Sequence, residues 1–133
     1  MSVTPPPVEG TWVITDANFA SVSAMSHADA KKWFGKSYQY FTNIAKLDQQ
    51  ECRSPSYDSQ SLDEQAFESQ FNTSLAQAGI NQKRFEAITV SCESGMSGPG
   101  QSIFKLNDSN AVTVWDGVFF KLEKASEPAN VSY

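Results

Sequence analysis

The sequence predicts an α+β domain that is mainly β, a curved antiparallel sheet or small barrel with one or two short helices. Three observations point there. Runs rich in aromatic and β-branched residues with two-residue alternation recur along the chain, whereas helical spacing is confined to two stretches. The C-terminal part carries three such runs joined by short loops, the pattern of an antiparallel meander. The length of 133 residues suits one domain. It divides into a disordered Pro-rich leader (1–9), a globular domain (10–124) and a flexible tail (125–133).

Taken in order, "GTWVITDANF" reads as a strand with Trp12, Ile14 and Asp16 on one face and Val13 on the other. "SHADAKKWFGK" reads as a short helix: Ser26 is the N-cap, Lys31 and Lys32 fall in the last turn, and Gly35 sits where a C′ glycine belongs. "KSYQYFTNIAKL" is a strand with Tyr38 and Tyr40 on one face and Phe41 on the other. "DQQECRSPSYDSQSL" is a polar stretch broken by Pro55 and anchored by Cys52 and Tyr57. "SLDEQAFESQFNTSLAQAGI" is helical, with Ser61 and Glu64 as a capping box and Phe67, Phe71 and Leu75 at four-residue spacing. Asn72-Thr73-Ser74 breaks it, and Gly79 ends it. "KRFEAITVSC" alternates Phe85 and Ala87 against Ile88, Val90 and Cys92, "ESGMSGPG" is a loop, and "QSIFKLND" is a further strand.

"AVTVWDGVFFKLEK" closes the meander as a hairpin. A two-residue Asp-Gly loop between apolar strands is a strong signal for a type I′ turn, because both central residues need positive φ. That turn pairs Trp115 with Val118, Val114 with Phe119, Thr113 with Phe120 and Ala111 with Leu122. Trp115, Val118, Thr113, Phe120 and Leu122 then share the core face. Val112, Val114, Phe119 and Lys121 share the opposite face, to be covered by a helix or offered to a partner. Asp116 is explained by the turn and needs no catalytic role.

Composition narrows function. Hydrophobic residues make up 40% and aromatic residues 12%, enough for a core, and 19% charged residues are too few for a coiled coil. A net charge of -5 and a pI near 4.7 repel phosphates, so no nucleic-acid partner is expected, and an acidic surface suits a basic protein partner. No apolar run approaches the roughly 20 residues of a membrane helix. The N-terminus has neither a basic region nor an apolar one, so it is no signal peptide; the protein is either cytosolic or an exported one whose leader has been removed. Cys52 and Cys92 have no metal-like spacing and read most simply as one disulfide, the alternative being two buried thiols. A disulfide favours an oxidising compartment.

Candidate chemistry is sparse. His27, the single histidine, sits at a helix start without metal-ligand company, so neither a metal nor a cofactor is expected. The 94–100 loop lacks the following helix of a phosphate cradle. Glu9, Asp16, Asp29, Asp63, Glu64, Glu86 and Glu93 are scattered in sequence, and no Gly-x-Ser-x-Gly motif is present. No enzyme activity is expected. Sequons at Asn72, Asn107 and Asn130 read as coincidences in a chain so rich in Asn and Ser.

The stretches "SAMSHADAKKWFGKSYQY", "CRSPSY", "LAQAGI…ITVSC" and "SIFKLND…VWDGVFFKLEK" resemble small bacterial envelope proteins of lipoprotein-like character. The resemblance implies an exported, periplasmic or envelope-associated protein, its signal peptide removed, with a Cys52–Cys92 bridge. The closing pattern is also similar to that of periplasmic lysozyme inhibitors, small disulfide-bonded β-barrels whose inhibitory loop carries Ser-Gly-x-x-Tyr. Here Ser94-Gly95 is followed by Met96-Ser97-Gly98, without the tyrosine. The resulting expectation is a non-enzymatic envelope protein that binds and inhibits another protein, such as a cell-wall hydrolase or antibacterial toxin. Its expected contacts are Tyr57, Ser94, Gly95, Met96, Val114 and Phe119. The alternative is a lipocalin-like binder of a small hydrophobic ligand, with a cavity lined by Trp12, Tyr38, Tyr40, Phe104 and Phe120.

Overall fold

A computed structural model describes residues 8–19, 26–93 and 100–125. They form a curled antiparallel sheet of nine strands, a half-barrel, with two short helices. In chain order these are β1 (Gly10–Phe19), α1 (His27–Lys31), β2 (Ser37–Tyr40), β3 (Ile44–Leu47), β4 (Gln50–Arg53), β5 (Ser56–Asp63), α2 (Glu64–Phe71), β6 (Arg84–Ser91), β7 (Ser102–Lys105), β8 (Asn110–Trp115) and β9 (Val118–Lys124). The strand order across the sheet is β4-β3-β2-β1-β9-β8-β7-β6-β5. First and last strands of the chain therefore meet in the middle, and β4 and β5, consecutive in sequence, form the two edges.

The closing hairpin has the expected register at all four pairs named above. Asp116 and Gly117 have φ of 53° and 78°, so the Asp-Gly pair supplies the two left-handed residues the turn requires. The first helix has its expected cap, with Ser26 Oγ accepting from the Asp29 amide at 3.1 Å.

Several expectations need correction. "KSYQYFTNIAKL" is a hairpin of β2 and β3 rather than one strand, and the polar stretch after it holds two more strands, β4 and most of β5. Ser61 lies in β5; the cap of α2 is Asp63, whose carboxylate accepts from the Ala66 amide at 2.8 Å. The helix stops at Asn72, which is left-handed with φ 52°. In β1 the register shifts between Ile14 and Asp16, a β-bulge at Thr15. The extra residue turns Asp16 to solvent and Ala17 and Phe19 inward, so Asp16 does not share the face of Trp12 and Ile14. Val8, assigned to the disordered leader, is 1% exposed, and its carbonyl accepts from Trp12 Nε1 at 2.9 Å.

Each sheet face has its own core. The inner, concave core gathers Trp12 and Ile14 of β1, Tyr38 and Tyr40 of β2, Leu47 of β3, Ile88 of β6, Ile103 of β7 and Phe120 and Leu122 of β9, among others. The outer core lies beneath α2 and the turn segment after it. Phe67 is fully buried there among Phe71, Phe85, Phe104 and Phe119, with ring centroids 4.9, 5.9, 5.6 and 5.7 Å away.

Candidate functional site

Curling brings the two ends of the sheet together at a seam that no strand pairing closes. Side chains close it instead. Cys52 on β4 and Cys92, one residue past β6, form a disulfide with a Cα–Cα distance of 5.9 Å, across 40 residues of sequence. Beside it, the Tyr57 hydroxyl on β5 donates to the Phe41 carbonyl in the β2–β3 turn at 2.8 Å. The Tyr57 ring meets Tyr40 edge-on, with centroids 6.4 Å apart. The buried Tyr40 hydroxyl donates to the Gly100 carbonyl at 2.7 Å, and the Gly100 amide donates to Thr113 Oγ1 at 2.8 Å. The Thr113 hydroxyl in turn donates to the Ser102 carbonyl at 2.7 Å. This chain of contacts spans the interior from β5 and β2 to β8 and β7.

Gly100 has to be glycine here. Its φ is +100°, and a Cβ would stand 2.8 Å from Tyr38 Cδ1 and 3.0 Å from the Tyr40 hydroxyl.

Burial raises the pKa of all three phenols in this region. Tyr57 is pushed up to about 12 by loss of water. Tyr40 is raised by burial and then by the neighbouring Tyr38 and Tyr57. Tyr38 is raised by burial and then by the negative charge of Asp48. The Tyr38 hydroxyl is buried without a hydrogen-bond partner among the described residues. All three stay neutral at physiological pH: Tyr38 acts here as a packing group, and Tyr40 and Tyr57 also as hydrogen-bond donors.

The residues expected at a partner surface separate. Ser94, Gly95 and Met96 lie outside the described residues. Tyr57 is half-buried and ties the seam. Phe119 is 1% exposed beneath Phe67 and Phe71, and Val114 packs against the same cluster, half-buried. That face of the hairpin is covered by the chain's own helix, so Phe119 cannot meet a partner.

The expected cavity lining separates as well. Trp12, Tyr38, Tyr40 and Phe120 lie in the inner core, each at 1% exposure or below. Phe104 points to the opposite face and belongs to the outer core. The five cannot line one cavity, because β7 alternates and places Ile103 inward and Phe104 outward.

Other flagged residues fall on the surface. His27 is exposed and stacks on Phe19 at a centroid distance of 4.1 Å. Asn72 and Asn107 are exposed in turns, the latter accepting from the Ser109 and Asn110 amides at 2.8 and 2.9 Å. Asn130 lies outside the described residues. Among the described residues no three His, Cys, Asp or Glu side chains converge as metal ligands.

The two edges, by contrast, are unlike each other. β4 has four residues, bears Glu51 and Arg53, and is followed at once by the seam. β5 has eight residues, six of them exposed, and runs in unbroken register with β6 from Ser56↔Ser91 to Asp63↔Arg84. Among the described residues its main neighbours are β6 and, at its far end, the start of α2. This strand is hidden in the sequence because its apolar residues show no alternation: Tyr57 belongs to the inner core and Leu62 to the outer one, five positions on, with Asp58, Ser59, Gln60 and Ser61 between. The usable signal was the eight-residue stretch 56–63, free of Gly and Pro, which follows Pro55 and ends on the cap Asp63.

The chain matches no protein family, no curated protein and no solved structure. The resemblance to envelope proteins therefore rests on the quoted residues alone. No helix among the described residues is long and apolar enough to cross a membrane.

Proposed function

We propose that this chain is a non-enzymatic envelope protein that binds and inhibits another protein, with a basic cell-wall hydrolase or antibacterial toxin as the target class. The observation that carries the reading is the filled interior. A lumen able to hold a ligand leaves its wall residues partly accessible. Trp12, Tyr38, Tyr40 and Phe120 are instead between 0 and 1% exposed and pack on one another's cluster. That favours recognition on the outside and places the lipocalin-like alternative behind it. The Cys52–Cys92 bridge supports an oxidising compartment and makes the outside a rigid platform. The net charge of -5 favours a cationic target and steers its approach.

The test is inhibition by purified, disulfide-intact protein of a panel of basic lysozymes, amidases and envelope-directed toxins. We expect stoichiometric inhibition of at least one, with an association rate that falls as salt rises. A panel left uninhibited, together with saturable binding of a fatty acid or retinoid in fluorescence titration, would overturn the reading in favour of the lipocalin-like one.

A further inference from the structure

We infer that the open edge of β5 is a strand-addition site for an extended, lysine- or arginine-bearing segment of another protein. In an antiparallel edge strand, alternate residues direct N–H and C=O groups away from the sheet, a ready template for one more strand. Proteins ordinarily guard such edges with shortness, lysine, proline or a bulge. β4 is guarded in this way, four residues long and carrying Arg53 beside Glu51. β5 lacks most of these devices: eight residues, no Lys, Arg or Pro, and no register shift against β6, its only charges being the carboxylates Asp58 and Asp63. Its residues Ser56, Asp58, Ser59, Gln60, Ser61 and Asp63 are exposed.

Charge selects the occupant. β5 carries Asp58 and Asp63, and β6 behind it carries Glu86, held by a hydrogen bond from Ser59, against the single cation Arg84. Three carboxylates to one guanidinium, on a chain of net charge -5, invite a cationic strand. A second copy of this chain is disfavoured by the same reasoning, since two β5 edges would bring acidic strands together with no cation of their own to answer. The neighbouring disulfide and the Tyr57 bond to Phe41 hold the Ser56 end in place, so the template is pre-formed. The inference rests on the reading above only in taking the partner to be a protein.

The experiment uses the full, isotopically labelled chain with its disulfide intact. The probe is a capped peptide of alternating Lys and Val, as long as β5, with an alternating Glu–Val peptide of the same length beside it. The Lys–Val peptide is expected to shift and protect backbone amides between Tyr57 and Leu62. Its binding should weaken severalfold from about 50 to about 300 mM NaCl. The exposed substitutions Asp58→Lys and Ser61→Lys, combined, should cut its affinity by about tenfold while leaving the amide spectrum of the inner core unchanged. Equal binding of the Glu–Val peptide, protection at β4 or on the outer face of β1–β3, or dimerisation of the free chain through β5 would each overturn the inference. Capture of the Lys–Val peptide by a protein that inhibits no hydrolase or toxin would leave the edge site standing and remove the inhibitor reading. Inhibition of a target with the β5 amides undisturbed would do the reverse.

Discussion

The inner and outer cores bury opposite faces of one sheet by different means. The outer core is local: α2 and the turn after it follow directly on β5, and a single side chain, Phe67, fills the centre of a ring of phenylalanines on β6, β7, β9 and α2 itself. A helix close in sequence is laid on the sheet, and its apolar stripe is enough. The inner core is assembled from both ends of the chain, from Val8 to Leu122, and is closed by bending the sheet on itself. Bending leaves edges that share no hydrogen-bonded ladder. Closure there falls to a disulfide and to the hydroxyls of the buried Tyr40 and Thr113 and the half-buried Tyr57. Covering a sheet face needs only complementary apolar surface, whereas closing a curl needs ties with direction.

That contrast can be broken on either side. Phe67→Ala should have the largest effect, a loss of about 3–5 kcal/mol in denaturant unfolding, because a fully buried ring is removed from the middle of its cluster. A much smaller loss would mean that α2 is only loosely seated. Replacing both cysteines, Cys52→Ser with Cys92→Ser, should cost roughly 3–4 kcal/mol from freeing a 40-residue loop. Hydrogen exchange should then rise first at β4, β5 and the Phe41 turn, while amides beneath α2 stay protected; uniform exchange would show the two cores to be one cooperative unit.

Thr113→Val sharpens the inner side alone. It keeps the shape but deprives the Gly100 amide of its acceptor and the Ser102 carbonyl of its donor, at an expected cost of about 1–3 kcal/mol. The smallest effect is nil at neutral pH. A tyrosine whose folded pKa is raised keeps its proton longer folded than unfolded, so its contribution is whole below the unfolded value near 10 and is lost as pH rises through the folded value. For Tyr57 that window runs from pH 10 to about 12, and Tyr38 and Tyr40 add to it in the same direction. Phenolate absorbance of these three should appear together with unfolding, and an independent titration near pH 10 in the folded protein would contradict their burial.

Legibility in the sequence followed the physical source of each feature. The Asp116-Gly117 turn and the Ser26 cap are decided by residues within a few positions, and the structure has the expected hairpin register and the expected cap residue. The face assignments of β6 and the closing hairpin followed from period two, because those strands are flanked by core on both sides. The bulge at Thr15 defeated the same rule, since an inserted residue flips every position after it and is set by the partner strand β9. β5 was not legible for a related reason: it leaves one core and enters the other along its length, so no face repeats. Its edge, the feature on which a partner proposal now rests, is a property of which strand has no neighbour.

The sequence by itself determined the class of the fold, the closing Asp-Gly turn, the Ser26 cap and which side chains could be buried, because these depend on local backbone preferences and on hydrophobic alternation. Only the tertiary structure decided that Phe104 and Phe120 lie on opposite faces of the sheet, that α2 covers Phe119, and that β4 and β5 end as a guarded and an open edge. Those outcomes depend on strand order and curvature, which are set by the whole sheet closing on its two cores rather than by any one segment.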